Sequence, residues 1–72
     1  MSKWVKNVMK VKYNKDLDIL YFSLSNDTVY ESDEEKKGVI FDYSADGNLV
    51  GIELLNATKR VGNPAKVEYE FA

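Results

Sequence analysis

One stretch of the sequence has the residue types and spacing of a calcium-binding loop. Its oxygen ligands would be Asp42, Ser44, Asp46 and Glu53, and Gly47 stands where such loops turn sharply. Calcium loops of this kind lie between two helices, whereas the alternation on both sides of this one is typical of strands. Turn residues of a β hairpin explain the same letters, so we interpret the segment as a hairpin turn. Binding of an ion or small ligand through Asp42, Asp46 and Glu53 remains an alternative.

Catalysis has little support in the residue types. The chain has no histidine and no cysteine, which excludes Ser-His and Cys-His nucleophiles and thiolate zinc sites. Two carboxylates could still form an acid and base pair, as in glycosidases. However, a β domain of 72 residues offers little concave volume for a substrate. We therefore predict a non-enzymatic protein without a cofactor.

The charges are laid out in blocks. Residues 1–15 carry five lysines and no acid, and residues 16–35 carry seven acids and no base. This layout could steer a charged partner, although solvated strand faces and turns would give the same pattern. Trp4 and Tyr13 lie among the lysines, as in single-strand nucleic-acid platforms. The pI of about 5.0 argues against nucleic acid as the partner.

Period-two alternation of apolar residues predicts the elements that position these groups. The predicted strands are residues 9–13, 19–24, 28–31, 39–43, 49–55 and 66–71. Residues 32–38 have no apolar residue and are predicted to form a loop or one frayed helical turn, and residues 56–61 a turn or helical turn. The expected fold is all-β or mainly β: an antiparallel meander of five or six short strands built from hairpins. We expect one domain over residues 1–72, with residues 1–7 as a flexible leader and 66–71 as an accessory C-terminal strand. A purely structural, self-assembling β protein whose last strand, from Lys66 to Phe71, pairs with a neighbouring subunit is a further alternative.

A chain this short builds only a thin core, and oligomerisation is the natural supplement where disulfides and thiolate metal sites are absent. The alternation of residues 19–24 is apolar on both faces, so its outer face needs cover. We predict a homo-oligomer that also binds another protein through the residues Ile19, Tyr21, Glu31, Asp33, Glu34, Glu35, Tyr69 and Phe71. No apolar run approaches the ~20 residues that cross a bilayer, and the N-terminus lacks a secretory h-region. A cytoplasmic protein without a membrane partner is the expectation.

The segments from Met9 to Tyr21 and from Gly38 to Arg60 resemble the two signature blocks of domain of unknown function family 2283, which comprises short prokaryotic and phage proteins. The resemblance covers about residues 9–61. Asn14 departs from the aspartate that is more usual there, a change that turns tolerate. The resemblance implies the fold more than an activity. It also implies a protein-binding role of the antitoxin type. The acidic segment of residues 27–35 favours a basic protein as the partner, which an antitoxin-like or phage-encoded inhibitor would neutralise.

Overall fold

The computed structural model describes residues 8–72. Five antiparallel strands form one open sheet, followed by one short helix. They are β1 (Lys10–Asn14), β2 (Ile19–Ser23), β3 (Glu31–Lys36), β4 (Val39–Tyr43), β5 (Leu49–Leu55) and α1 (Ala57–Val61). The predicted mainly β fold class is confirmed. The predicted leader, residues 1–7, lies outside the described residues.

The strand order is β1-β2-β5-β4-β3, which departs from a simple meander at one connection. A meander would set β3 beside β2, but β5 pairs with β2 on one side and with β4 on the other. The compositions explain the exchange. The apolar β5 contributes the buried Val50 and Gly51 at the centre of the sheet, whereas β3 has no apolar side chain to bury and takes an edge.

The strand β3 corrects the prediction of a loop or helical turn at residues 32–38, and of a strand at 28–31. Residues 28–30 form no strand, and residues 31–36 pair antiparallel with β4. Gly38, with φ 81°, closes the hairpin, and its N–H donates to the Glu34 carboxylate at 2.8 Å. The alternation rule missed β3 because its ladder comes from backbone hydrogen bonds while its side chains face water on both sides.

The other two hairpins form where they were predicted. In the β1–β2 turn, the Asn14 side chain accepts a hydrogen bond from the Leu17 N–H at 3.0 Å. In the β4–β5 turn, the Ser44 N–H donates to the Asn48 carbonyl at 2.9 Å, and Gly47 has φ 87°. A side-chain acceptor therefore supports the first turn and a left-handed glycine the second, as the sequence indicated.

The core is thin. The buried apolar residues are Leu20, Val50 and Ala57, and among residues 8–72 no large side chain is completely buried. The register aligns Val11, Phe22, Ile52 and Phe41 across four strands on one face, and all four are only half-buried. One face of the sheet thus presents an apolar row that the described residues cover incompletely.

The helix α1 occupies residues that were predicted to form a turn or a helical turn. Asn56, with φ 55°, ends the β5 strand and precedes the first helical residue. Hydrogen bonds from two of its residues hold the helix against the sheet. Thr58 donates to the Asp18 carboxylate. The Arg60 guanidinium donates to the carbonyls of Leu55 and Lys37. No helix within the described part of the chain is long and apolar enough to span a membrane.

The predicted strand at residues 66–71 does not form in the single chain. The segment has no strand structure, and its apolar side chains Val67, Tyr69 and Phe71 are 61%, 79% and 89% exposed. A strand forms by pairing with the edge of a sheet, and within residues 8–72 this segment pairs with no strand. The alternation in its sequence is therefore left unpaired.

Candidate functional site

The acidic edge of the sheet is formed by β3. All six of its residues are exposed, and its outer side is unpaired within residues 8–72. The predicted partner-binding residues Glu31, Asp33, Glu34 and Glu35 all lie on it. The register places Glu31 and Asp33 opposite Tyr43 and Phe41 on the apolar face, and Glu34 opposite Ile40 on the other. This edge therefore combines free backbone hydrogen-bonding groups with a row of carboxylates.

An open cavity of about 280 Å³ lies at one end of this edge. Tyr30 and Tyr43 supply aromatic walls, Glu31 and Asp33 supply carboxylates, and the turn after β4 closes one side. Tyr30 is 71% exposed. Tyrosine rings beside carboxylates suit a cation, because a ring face and a negative charge both attract it. The cavity has the size and chemistry for one cationic side chain.

The hydrogen bond and the pKa of Tyr43 indicate a negative electrostatic potential around this cavity. Its hydroxyl donates to the Glu35 carboxylate at 3.2 Å, and its ring meets Phe41 edge to face with centroids 6.5 Å apart. Its pKa is raised, first by burial and then by the charges of Glu35, Asp33 and Glu31. Carboxylates that oppose ionisation of a phenol would stabilise a cation at the same place.

The opposite face holds a buried carboxylate. Asp42 is 2% exposed, and the Ser32 hydroxyl donates to its Oδ1 at 2.6 Å. The pKa of Glu53 is raised by burial, by a hydrogen bond with Asp42 and by the charge of Asp42. The pKa of Tyr21 is also raised, mainly by burial and then by Asp42. The charge of the buried Asp42 carboxylate thus opposes ionisation of Glu53.

Tyr21 lies over Gly51 on this same face. A β-carbon at Gly51 would run into the Tyr21 hydroxyl and ring, so the glycine makes room for the tyrosine. Ile19 and Tyr21 were predicted to bind a partner, and both are half-buried in the sheet. Tyr21 covers Gly51 and lies near Asp42 and Glu53 of its own sheet. This position depends on the strand register and could not be predicted from the sequence.

The residues of the calcium-loop match are divided by the hairpin. Asp42 stands opposite Gly51 on paired strands, the exposed Asp46 lies in the turn, and the Ser44 hydroxyl accepts the Asn48 N–H at 3.2 Å. In residues 8–72 no group of three or more acidic side chains could hold a metal ion. Of the matched residues, the fold brings Asp42 and Glu53 within hydrogen-bonding reach of each other.

Sequence reasoning singled out neither Tyr30 nor Tyr43, and it gave no role to Ser32. The available signal was that Tyr30 directly precedes the acidic run. Tyr43 lies on the next strand and comes to stand opposite Glu31 through strand pairing alone. The predicted partner-binding residues Tyr69 and Phe71 lie apart from β3, on the unpaired segment that follows α1.

These features define a small antiparallel β protein with a one-layer open sheet and an acidic edge. The chain belongs to the family described as protein of unknown function (DUF2283), whose model matches residues 10–57. The match spans all five strands and confirms the resemblance seen in the sequence. No curated protein and no solved structure matches the chain significantly.

Proposed function

We propose that this protein is a non-enzymatic binding module that holds a basic segment of another protein against its β3 edge. The observation that carries the proposal is an unpaired edge strand, exposed at every residue, whose carboxylates adjoin a cavity with two tyrosine walls. An antitoxin-like or phage-encoded inhibitor of a basic protein is one form that such a module would take.

The mode of binding follows from the edge. An extended peptide that adds beside β3 would use the free N–H and C=O groups for affinity, and alternate side chains for specificity. Lysines or arginines on that peptide would meet Glu31, Asp33 and Glu35. One of them would enter the cavity between Tyr30 and Tyr43. Charge would steer the encounter, and the main-chain ladder would set the register.

A peptide titration tests this directly. The probe is an extended peptide that alternates lysine with valine, and the control peptide alternates glutamate with valine. Isothermal calorimetry should detect binding of the basic peptide but not of the acidic control, and the affinity should fall as the salt concentration rises. The variant E31K/D33K/E35K should lose that binding.

A matched variant keeps the net charge the same. D16K/D27K/E68K reverses three exposed acids outside β3 and its cavity and should retain most of the affinity. Equal loss in both variants would mean that overall charge, and not the β3 edge, attracts the peptide. No binding of the basic peptide by the wild-type chain at low salt would contradict the proposal.

A further inference from the structure

The segment after α1 carries a strand pattern that the single chain leaves unused. Val67, Tyr69 and Phe71 alternate with Glu68 and Glu70, and all five are exposed. Within the described part of the chain, residues 67–71 take part in no backbone hydrogen bond of a turn or loop and in no strand. An amphipathic segment with free backbone groups is a donor strand that lacks an acceptor edge.

Among the strands of residues 8–72, the sheet has two edges of opposite charge. The edge strand β3 carries four carboxylates, whereas the edge strand β1 carries Lys10 and Lys12. The donor segment presents Glu68 and Glu70 on its polar side. Like charges across adjacent strands repel and opposite charges attract, so β3 disfavours this segment and β1 favours it.

The alternation of the two segments also matches. In β1 the lysines share one face, while Val11 and Tyr13 lie on the face of the apolar row. One antiparallel register satisfies every position. It sets Lys10 opposite Glu70, Lys12 opposite Glu68, Met9 opposite Phe71, Val11 opposite Tyr69 and Tyr13 opposite Val67. The tail would thereby extend both the polar face and the apolar row by one strand.

We infer that residues 67–71 of one copy add as a sixth strand to the β1 edge of a second copy. The exposed apolar side chains Val67, Tyr69 and Phe71 then pack beside Tyr13, Val11 and Met9, which adds apolar contact that a single chain lacks. The inference goes beyond the proposed function and is independent of it, because it uses β1 and leaves the β3 edge free.

Single cysteines test the register, because the natural chain has none. The variants V11C and Y69C, carrying tags of different length, are mixed under mild oxidation. The expected product is a disulfide-linked pair of one V11C and one Y69C chain on a non-reducing gel. The mixture of V11C with E70C is the matched control, since residue 70 lies on the other face, and it should give little of that product. Equal cross-linking in both mixtures overturns the register.

The double variant V11C/Y69C distinguishes pairing between copies from pairing within one. A disulfide inside one chain, with the mass of a monomer, means that the tail joins its own β1 and overturns the inference. A covalent species of two or more chains supports it. Light scattering of the wild-type chain at high concentration measures self-association without cysteines, and a strict monomer overturns the inference.

Reversing the charges of exposed side chains tests the same pairing without cysteines, in case the cysteine variants fold poorly. K10E/K12E and E68K/E70K should each weaken self-association about tenfold, the scale of two exposed charge pairs reversed. The quadruple variant restores opposite charges and should regain the wild-type association. Failure of the quadruple variant to exceed the two double variants contradicts the proposed pairing.

Discussion

The carboxylate of Asp18 caps the helix α1 through Thr58, which lies 40 residues further along the chain. The Thr58 N–H donates to Oδ1 at 3.1 Å and the Thr58 hydroxyl donates to Oδ2 at 2.8 Å. The Tyr13 hydroxyl donates to the same carboxylate, and the Ala57 N–H donates to the Asp18 carbonyl. The usual capping position, Asn56, is left-handed and makes no side-chain cap. A residue of the first hairpin thus replaces the local cap.

Replacement of Asp18 by asparagine should lower the free energy of unfolding at neutral pH. The amide keeps one acceptor oxygen but loses the second, so the hydroxyls of Tyr13 and Thr58 compete for what remains. Chemical denaturation of D18N against D16N measures the effect. Asp16 is exposed in the same turn and its side chain makes no hydrogen bond to residues 8–72, so D16N should resemble the wild type. Equal loss in the two variants contradicts the cap.

The contribution of Asp18 to the free energy of unfolding should depend on pH in the acid range. The pKa of Asp18 is lowered from its ordinary 3.8, mainly by the hydrogen bonds from Thr58 and Tyr13. An acid with a lowered folded-state pKa stabilises the fold above 3.8, and that stabilisation disappears as the pH falls through the lowered value. The difference in unfolding free energy between wild type and D18N should therefore shrink as the pH drops below 3.8. A difference that stays constant down to pH ~2 would exclude this linkage.

Replacement of Glu53 by glutamine should raise the free energy of unfolding at neutral pH, whereas D18N lowers it. The pKa of Glu53 is raised above 4.5, so its protonated form favours the fold below 4.5, and this benefit is lost as the pH rises through the raised value. At pH 7 the glutamine, neutral at every pH, should stabilise the fold by about 0.5 kcal/mol, the scale of a partly exposed charge pair. Thermal melts from pH 3 to 8 give the profile, with D27N as the exposed control. A loss of stability at pH 7 would show that the charge of Glu53 is needed.

Replacement of Gly51 by alanine should destabilise the sheet by about 1–3 kcal/mol, the usual cost of overpacking. The added methyl group would collide with the Tyr21 ring and hydroxyl. Removal of the ring should relieve the collision, so G51A should cost much less in a Y21A background. A double-mutant cycle by urea denaturation measures this coupling. Additive effects would mean that the two residues do not interact.

Replacement of Arg60 by lysine should cost about 1 kcal/mol although it keeps the charge. The Arg60 Nε donates to the Leu55 carbonyl at 2.9 Å, and another guanidinium nitrogen donates to the Lys37 carbonyl across the β3–β4 turn. An ammonium cannot span both carbonyls from one position. Lys15→Arg, in an exposed turn, is the control and should be neutral. Equal stability of R60K and the wild type would show that the two bonds contribute nothing.

The β1–β2 and β4–β5 hairpins and their turns follow from local chemistry, which is why the sequence predicted them. The Asn14 and Ser44 side chains and Gly47 act on residues close to them in the chain. The strand β3 escaped prediction because an edge strand with both faces in water needs no apolar pattern. The acidic segment was identified from the sequence, but its cavity was not, since Tyr43 joins Glu31 only through pairing of β3 with β4.

By itself, the sequence determined the mainly β class, the absence of histidine and cysteine chemistry, the turns of the β1–β2 and β4–β5 hairpins, and the acidic and basic blocks. The tertiary structure decided which strands are neighbours. The placement of β5 between β2 and β4 brought Asp42 to Glu53, set Tyr21 over Gly51 and left β1 and β3 as edges of opposite charge. Period-two alternation assigns residues to a face but carries no information on strand order. Burial of the apolar β5 at the centre settles that order, and with it the site.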